Sequence, residues 1–226
     1  MKQFLTILTI TTISIFLIGS TPDSKVDVTS QHTKDTLWLK HTNYLSIFSK
    51  SKRYPVMVEW WLTKEKVTCK NPLKRKDNFK PDPLSPSITN LFNDYKGSGY
   101  NRGHMMPAAD NLCQTQLVQD ECFYFSNMIP QPHTLNAGSW KTLETETRLL
   151  ASQEDSIHVW CGGVGSVKTF GPNKVAVPVK CWKVIYIKKT KEYRAYIFPN
   201  NTDKTELSKL KTTKDEVEKL SGFKFD

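Results

Sequence analysis

The sequence predicts one α+β domain with a mostly antiparallel central sheet and flanking helices. Short segments rich in β-branched and aromatic residues alternate with turn residues, and two segments have helical spacing. The chain has 226 residues, of which 38% are hydrophobic and 24% charged. These proportions are typical of a globular protein and exclude a coiled coil, a collagen and a disordered tail.

The predicted elements follow from local residue patterns. Strands are predicted at Tyr54–Thr63, Cys122–Met128, Ile157–Val164, Val175–Ile187 and Tyr193–Pro199, and helices at Gly138–Gln153 and Thr213–Leu220. The first helix has an apolar side made of Trp140, Leu143, Leu149 and Leu150. Prolines and glycines interrupt residues 70–101, which predicts a long basic surface loop. A Gly-Pro-Asn turn is expected to join the strands at 157–164 and 175–187.

The N-terminus has the pattern of a secretory signal peptide, predicted over residues 1–20. A basic second residue is followed by an uncharged run at Phe4–Ile18 and then by small residues. A retained membrane anchor is the alternative, although a bilayer span needs about 20 apolar residues. We therefore expect a secreted or periplasmic protein without a membrane partner. A polar leader at residues 21–37 precedes the predicted domain at residues 38–226.

The five cysteines leave at least one thiol unpaired within the chain. No Cys-x-x-Cys spacing occurs, so the sequence lacks the usual signal of a zinc or redox site. Cys113–Cys122 and Cys161–Cys181 are the preferred disulfides because each would close a local loop. The connectivity stays open at this stage.

The charge favours a polyanionic partner. Lys and Arg number 32 against 22 Asp and Glu, a net charge of +10. Residues 34–80 carry 12 basic and 4 acidic residues, and residues 151–200 carry 8 and 3, so two basic regions flank an acidic middle. Such regions can hold a nucleic-acid backbone, whereas lysines that only maintain solubility are the alternative.

The residues with the clearest chemical potential lie between positions 100 and 150. His104 stands between Gly103 and Met105 and can act as a general base, because imidazole titrates near neutrality. An Asn side chain offers an oxygen ligand that suits Mg²⁺. Glu144 and Arg148 are four residues apart on the predicted helix and can pair on one face. Each signal alone is more often structural than functional.

Three motifs in order resemble the DNA/RNA non-specific endonucleases of the ββα-metal type, which include Serratia nuclease and endonuclease G. The motifs are Asn-Arg-Gly-His with its following Pro-Ala at Asn101–Ala108, Ser-Asn-x-x-Pro-Gln at Ser126–Gln131, and Asn-x-Gly-x-Trp-x-x-Leu-Glu at Asn136–Glu144. The resemblance extends loosely from about Leu39 to Phe223. It implies a ββα active-site motif within the α+β fold.

The resemblance also implies site roles. His104 would be the general base that activates water, and Asn136 the direct protein ligand of one Mg²⁺ or Mn²⁺ ion. Glu144 would hold water around the ion, and Arg102 and Arg148 would stabilise charge at the scissile phosphate.

Two further residues carry looser assignments. Asn127 would orient His104 or the surroundings of the ion, and Arg75 would bind substrate phosphate ahead of a Phe-x-x-Asp pattern. The family's usual Asp before Arg-Gly-His is Asn101 here. Its charge is therefore missing, which matters if that charge tunes the pKa of His104.

The expected function is hydrolysis of phosphodiester bonds in DNA and RNA. A non-catalytic nucleic-acid-binding protein of the same fold is the alternative, motivated by Asn101. A toxin nuclease with a neutralising partner is a third possibility. The sequence leaves open a homodimer, the preference between DNA and RNA, and the physiological ion.

Overall fold

The computed structural model describes residues 34–226. The predicted signal peptide and most of the predicted leader lie outside these residues. The strands are β1 (Thr36–Lys40), β2 (Leu45–Ser49), β3 (Tyr54–Thr63), β4 (Asn101–His104), β5 (Met128–Gln131), β6 (Ser156–Val164), β7 (Lys168–Phe170), β8 (Val175–Val177), β9 (Lys180–Ile187), β10 (Glu192–Pro199) and β11 (Lys211–Thr212). The helices are α1 (Lys64–Val67), α2 (Pro86–Thr89), α3 (Phe92–Tyr95), α4 (Gln116–Glu121), α5 (His133–Asn136), α6 (Ser139–Gln153) and α7 (Lys214–Ser221).

A seven-stranded antiparallel sheet forms the centre of the fold, in the order β1-β2-β3-β6-β9-β10-β11. Two smaller sheets pair β4 with β5 and β7 with β8. The predicted α+β class with an antiparallel sheet and flanking helices is confirmed. The first strand begins at Thr36, inside the segment predicted as leader.

The two faces of the large sheet have different coverings. In β3, Val58 and Leu62 point into the core cluster that also contains Trp140 and Leu143 of α6. The opposite face packs against α7 and the chain end, where Phe225 contacts Trp160 and Trp182. Because α6 lies on the first face, this face supports the motifs singled out above.

The helices α6 and α7 agree with the predicted segments to within a residue at each end. Gly138 precedes α6 at a point where a Cβ atom would lie 2.2 Å from the Thr134 carbonyl oxygen, so a larger residue does not fit. In α7 the Thr213 hydroxyl accepts a hydrogen bond from the Glu216 N–H, and Gly222 ends the helix with a φ of 80°. Leu149 was expected on the apolar side of α6 but is 58% exposed.

Two predicted strands are wrong in detail. Residues 122–128 form no strand: the segment makes a turn and a 3₁₀ helix at Phe125–Asn127, and only Met128 enters β5. Its apolar residues are buried in the core as irregular chain, which periodicity cannot distinguish from a strand. The strand predicted at 175–187 is interrupted at Pro178, which has no N–H to donate.

Two other predictions for the connecting segments are also corrected. The Gly-Pro-Asn turn at residues 171–173 joins β7 to β8, not the long strands β6 and β9. The segment 70–101, expected to have little regular structure, contains the short helices α2 and α3.

The disulfide predictions are wrong. Cys69 bonds to Cys113 across a separation of 44 residues, while Cys122, Cys161 and Cys181 are buried free thiols. On β6 and β9, Cys161 pairs in register with Lys183 and Cys181 with Gly163, so the two thiols are offset along the strands. Proximity in sequence therefore misled the choice of partners.

In the described part of the chain, no helix is long and apolar enough to cross a membrane.

Candidate active site

The candidate site forms where β4, β5 and α6 meet. The strands β4 and β5 pair antiparallel, with Arg102 opposite Pro130 and His104 opposite Met128. The Trp140 indole N–H of α6 donates a 3.1 Å hydrogen bond to the His104 carbonyl oxygen. Gly103 lies against the Gln131 side chain, so its missing Cβ makes room for a neighbouring residue and not for substrate. Two strands and a helix are thereby fixed to one another.

Six of the seven predicted site residues line one cleft of about 300 Å³. They are Arg75, Arg102, His104, Asn136, Glu144 and Arg148. Lys141 and the backbone around Pro107–Ala109 complete the lining. The chain thus brings together residues that are up to 73 positions apart, from Arg75 to Arg148.

His104 is a buried imidazole whose Nε2 atom is itself buried. Its Nε2 atom has no hydrogen-bond partner among the described residues. Burial, with added repulsion from Arg75 and Arg102, lowers the pKa of His104 to about 3, while a hydrogen bond to the Arg102 backbone raises it. Since Nε2 is unpartnered, that bond comes from the other ring nitrogen. His104 is therefore neutral at physiological pH, with Nε2 able to accept a proton.

Aromatic rings hold His104 and the arginines in place. The His104 ring lies edge-on to Phe123 at 5.0 Å and tilted to Phe79 at 5.6 Å. The Arg102 guanidinium lies 3.8 Å from the Phe79 ring centroid, and that of Arg75 lies 5.4 Å from the Phe123 centroid. The same two rings therefore position the imidazole and two cations.

Asn136 and Glu144 supply the oxygen donors of the cleft. Asn136 is the last residue of α5, and its carboxamide makes no hydrogen bond to any described residue. Burial raises the pKa of Glu144 to about 7, although Lys183 and Arg148 oppose this shift. In residues 34–226 no group of three or more His, Cys, Asp or Glu side chains could hold a metal ion. A single amide oxygen with a nearby carboxylate fits a largely hydrated hard cation.

Arg148 pairs with Asp110 and not with Glu144 as expected. Its Nη1 atom lies 3.3 Å from Asp110 Oδ1, and its Nη2 donates to the Thr145 hydroxyl at 3.1 Å. The Trp60 indole N–H donates to the other oxygen of Asp110 at 3.1 Å. The guanidinium is therefore fixed at the edge of the cleft by a buried carboxylate. Burial raises the pKa of Asp110, and Arg148 and Lys183 lower it.

Asn127 contacts backbone atoms and not the His104 ring. Its side-chain N–H groups donate to the carbonyl oxygens of Met106 and Cys122, and its side-chain oxygen accepts from the Met106 N–H. Its carbonyl oxygen accepts from the Met105 N–H at 2.9 Å. The residue thus fixes the segment that directly follows His104.

Sequence reasoning missed Asp110 and Lys183. Lys183 is 1% exposed, and its Nζ atom lies 4.1 Å from the Trp140 ring centroid. Its position was detectable, because Cys181, Lys183 and Ile185 alternate along one face of β9. A lysine among inward-facing apolar residues indicates a buried charge. Asp110 lies three residues beyond the Pro107 of the first motif, which was its available signal.

The side chain of Asn101, at the position where the family usually has Asp, contacts His133 and not His104. Its Nδ2 atom donates to His133 Nδ1 at 3.1 Å, and its side chain lines a neighbouring cleft. No hydrogen bond joins Asn101 to His104 in the described residues. The Asn101 side chain therefore makes no direct hydrogen bond that could orient the His104 ring.

A ββα arrangement brings a neutral imidazole, three arginines and oxygen donors into one cleft, a set of groups suited to binding a phosphate. Comparison with known families gives the particular group. The chain belongs to the DNA/RNA non-specific endonuclease family, whose pattern it matches over residues 23–226. The predicted family is confirmed.

Individual relatives agree with this grouping. Mouse mitochondrial nuclease EXOG is 30% identical over 207 residues, covering 82% of this chain and 56% of the relative. Nuclease C1 of Cunninghamella echinulata var. echinulata is 32% identical over 207 residues, covering 83% of this chain and 82% of the relative. The solved EndoG/EndoGI complex, described as showing the mechanism of EndoG inhibition, contains a chain that superposes with a TM-score of 0.76 at 30% identity. The match covers 83% of this chain and 84% of that one.

These relatives also correct one prediction. The EXOG relatives from mouse, human and Xenopus laevis are named as mitochondrial nucleases. The predicted secreted or periplasmic location is therefore wrong by this comparison. The chain spans little more than half the length of these relatives, namely 56%, 55% and 57%.

Proposed function

We propose that this protein is a sugar-non-specific endonuclease that hydrolyses phosphodiester bonds of DNA and RNA, with His104 as general base and one divalent ion, Mg²⁺ or Mn²⁺. The observation that carries the proposal is the unpartnered Nε2 atom of neutral His104 in a cleft lined by three arginines. A base needs a free acceptor atom, and a phosphodiester needs cations around its oxygens.

In the proposed reaction, His104 Nε2 takes a proton from a water molecule that attacks phosphorus. The P–O3′ bond breaks, the 3′-oxygen leaves, and the other product keeps a 5′-phosphate. Arg102 and Arg148 neutralise the charge that develops on the phosphoryl oxygens. The aromatic contacts of Arg102 and the ion pair of Arg148 hold both guanidinium groups in position before substrate arrives.

Asn136 would hold the divalent ion through its amide oxygen, with Glu144 orienting water beside it. When bound, such an ion supplies Lewis-acid stabilisation of phosphate charge. The free carboxamide of Asn136 and the partly buried carboxylate of Glu144 are hard oxygen donors, which supports this role. The raised pKa of Glu144 also means that a nearby cation would favour its ionised form.

The test is a digest of circular plasmid and of a structured RNA by the pure protein with Mg²⁺. We expect nicking followed by a smear for DNA and fragmentation of RNA, both abolished by EDTA and by His104→Ala. Intact substrates after incubation with folded wild-type protein and Mg²⁺ would contradict the proposal. Salt-sensitive retention of DNA without any cleavage would instead support the non-catalytic binding protein.

A further inference from the structure

A second, larger cleft adjoins the catalytic cleft. Its volume is about 510 Å³, and it shares Arg75, Arg102 and Asn136 with its neighbour. The shared residues place the two clefts side by side, with Arg75, Arg102 and Asn136 between them. Nothing in the reaction proposed above uses the rest of the second cleft. Its additional lining consists of Asp77, Phe79, Phe92, Tyr95, Lys96, Tyr100 and Asn101.

Phe92 is the exposed aromatic group of this cleft. The side chain belongs to α3, is 50% exposed, and makes no ring contact with another described residue. The neighbouring rings are already occupied. Tyr95 stacks on Phe125 at 5.7 Å, and Tyr100 stacks on Phe170 at 5.4 Å. Phe92 is thus half exposed in the cleft and has no aromatic partner among the described residues.

Cationic side chains line the same cleft as Phe92. Arg75, Lys96 and Arg102 line the cleft, and Lys168 lies 5.3 Å from the Tyr100 ring at its margin. The one acidic residue in the lining, Asp77, is paired with Arg75 at 2.7 Å. A half-exposed aromatic ring in one cleft with Lys96 and Arg102, which have no acidic partner among the described residues, complements a base attached to phosphate, since the ring stacks on the base and the cations hold the backbone.

We propose that the second cleft binds a nucleotide adjacent to the scissile phosphate, with its unstacked base against Phe92 and its phosphate at Lys96. This inference rests on the proposed nuclease function. A base inside a duplex has both faces covered by its neighbours, so a ring can stack on it only when the strand is single or locally open. The cleft therefore favours single-stranded segments of DNA or RNA over intact duplex.

The first test separates binding from cleavage. The background is His104→Ala in EDTA, and the probe is a fluorescein-labelled single-stranded 12-mer or its blunt duplex, followed by anisotropy. Adding Phe92→Ala should raise the Kd for the single strand about tenfold, which corresponds to loss of one stacked base. Adding Phe92→Trp should keep the Kd within about twofold. The matched control is Leu117→Ala, because Leu117 is 66% exposed and lines neither cleft.

The second test uses the active enzyme. With Phe92→Ala, KM for the single strand should rise about tenfold more than KM for duplex or for bis(4-nitrophenyl) phosphate, with kcat little changed. Equal losses on all three substrates, an unchanged Kd for the single strand, or the same loss in Leu117→Ala would each overturn the inference. Failure of wild-type protein to cut any substrate would contradict the nuclease function, while the binding test would still decide whether Phe92 contacts bases.

Discussion

His104 and His158 are two enclosed histidines whose pKa values are both lowered to about 3, mainly by burial. Their surroundings differ. His104 lies between aromatic rings at the wall of a cationic cleft, with Nε2 free of partners. His158 lies on β6, stacked on Trp61 at 4.4 Å and close to Trp160 at 3.8 Å. Its Nε2 atom is 3.6 Å from a carboxylate oxygen of Glu59.

The comparison teaches that a lowered histidine pKa does not define a site. Burial is the largest cause of the lowered pKa in both places, with added repulsion from Arg75 and Arg102 at His104. What distinguishes His104 is its place in a cleft lined by three arginines, whereas His158 lies beside the Glu59 carboxylate outside that cleft. Four substitutions test this difference between the two histidines, and their expected effects decrease in the order given.

The largest effect is expected for His104→Ala, which removes the proton acceptor. We expect kcat for plasmid cleavage to fall by about 10²- to 10⁴-fold, the usual contribution of a general base. His158→Ala is the matched control and should leave kcat within about twofold, because that imidazole only packs on the sheet. Comparable losses in both variants, with both proteins folded by circular dichroism, would show that the contrast is false.

The next-largest effect is expected in the pH dependence of kcat/KM. Because the pKa of His104 is about 3, its titration cannot produce an acid limb between pH 5 and 9, whereas Glu144 with a pKa of about 7 can. Because a bound cation favours ionised Glu144, in the presence of Mg²⁺ we expect kcat/KM to begin to fall below pH 7, by about tenfold for each pH unit, as Glu144 becomes neutral. Glu144→Gln should lower activity about 10- to 100-fold and abolish the fall of kcat/KM at low pH. Glu146→Gln, which changes an exposed neighbour on α6, should leave that pH dependence in place.

The same group makes a stability prediction of opposite sign. The folded-state pKa of Glu144 exceeds the ordinary value of 4.5, so folding favours its protonated form. Its favourable contribution is full below pH about 4.5 and is lost as pH rises through about 7. Glu144→Gln should therefore raise Tm by a few degrees at pH 8 and change it little at pH 4. A lower Tm at pH 8 would mean that the carboxylate holds the fold together.

A smaller effect is expected for Asn127→Ala. The change removes three side-chain hydrogen bonds and leaves buried backbone groups of Met106 and Cys122 without partners. We expect a loss of about 3 kcal/mol in the free energy of unfolding, measured in urea, and a moderate loss of kcat. Asn201→Ala, at an exposed position, is the control. An unchanged midpoint would contradict the view that Asn127 fixes the segment after His104.

The smallest effect is expected for Asn101→Asp. Since Asn101 contacts His133 and not His104, restoring the family's carboxylate should change kcat/KM by less than about threefold. Nuclease assays of both proteins in parallel are sufficient. Activity that appears only in Asn101→Asp would favour the non-catalytic binding protein for the natural sequence.

Local patterns predicted much of the fold. The strand β3 and the helices α6 and α7 carry their signal within a few neighbouring residues, as alternation, helical spacing or capping. The strand prediction for residues 122–128 was wrong because the burial of this segment depends on contacts with Lys80. The backbone of Lys80 forms hydrogen bonds with the backbone of Phe123 and Phe125. Such contacts are not visible in the segment itself.

The predictions for the site divide in the same way, between residues that lie in local motifs and contacts between distant parts of the chain. The residues of the sequence motifs converge in one cleft, as the resemblance implied. The Asp110–Arg148 pair and buried Lys183 depend on how α6 packs against β9 and on the 3₁₀ helix at Ala108–Asn111, so helical spacing alone suggested the wrong partner for Arg148. The disulfide prediction was wrong for the same reason, because Cys69 and Cys113 are 44 residues apart along the chain.

The Cys69–Cys113 bond closes a covalent ring that contains Arg75, Phe92, Arg102 and His104. Residues 70–78 within it are almost all exposed and offer trypsin several lysines and one arginine. A cut there leaves the two fragments tethered, so the nicked protein migrates as one band without reductant and as two after reduction. Trypsin can thus cleave the chain within residues 70–78 without separating the two fragments.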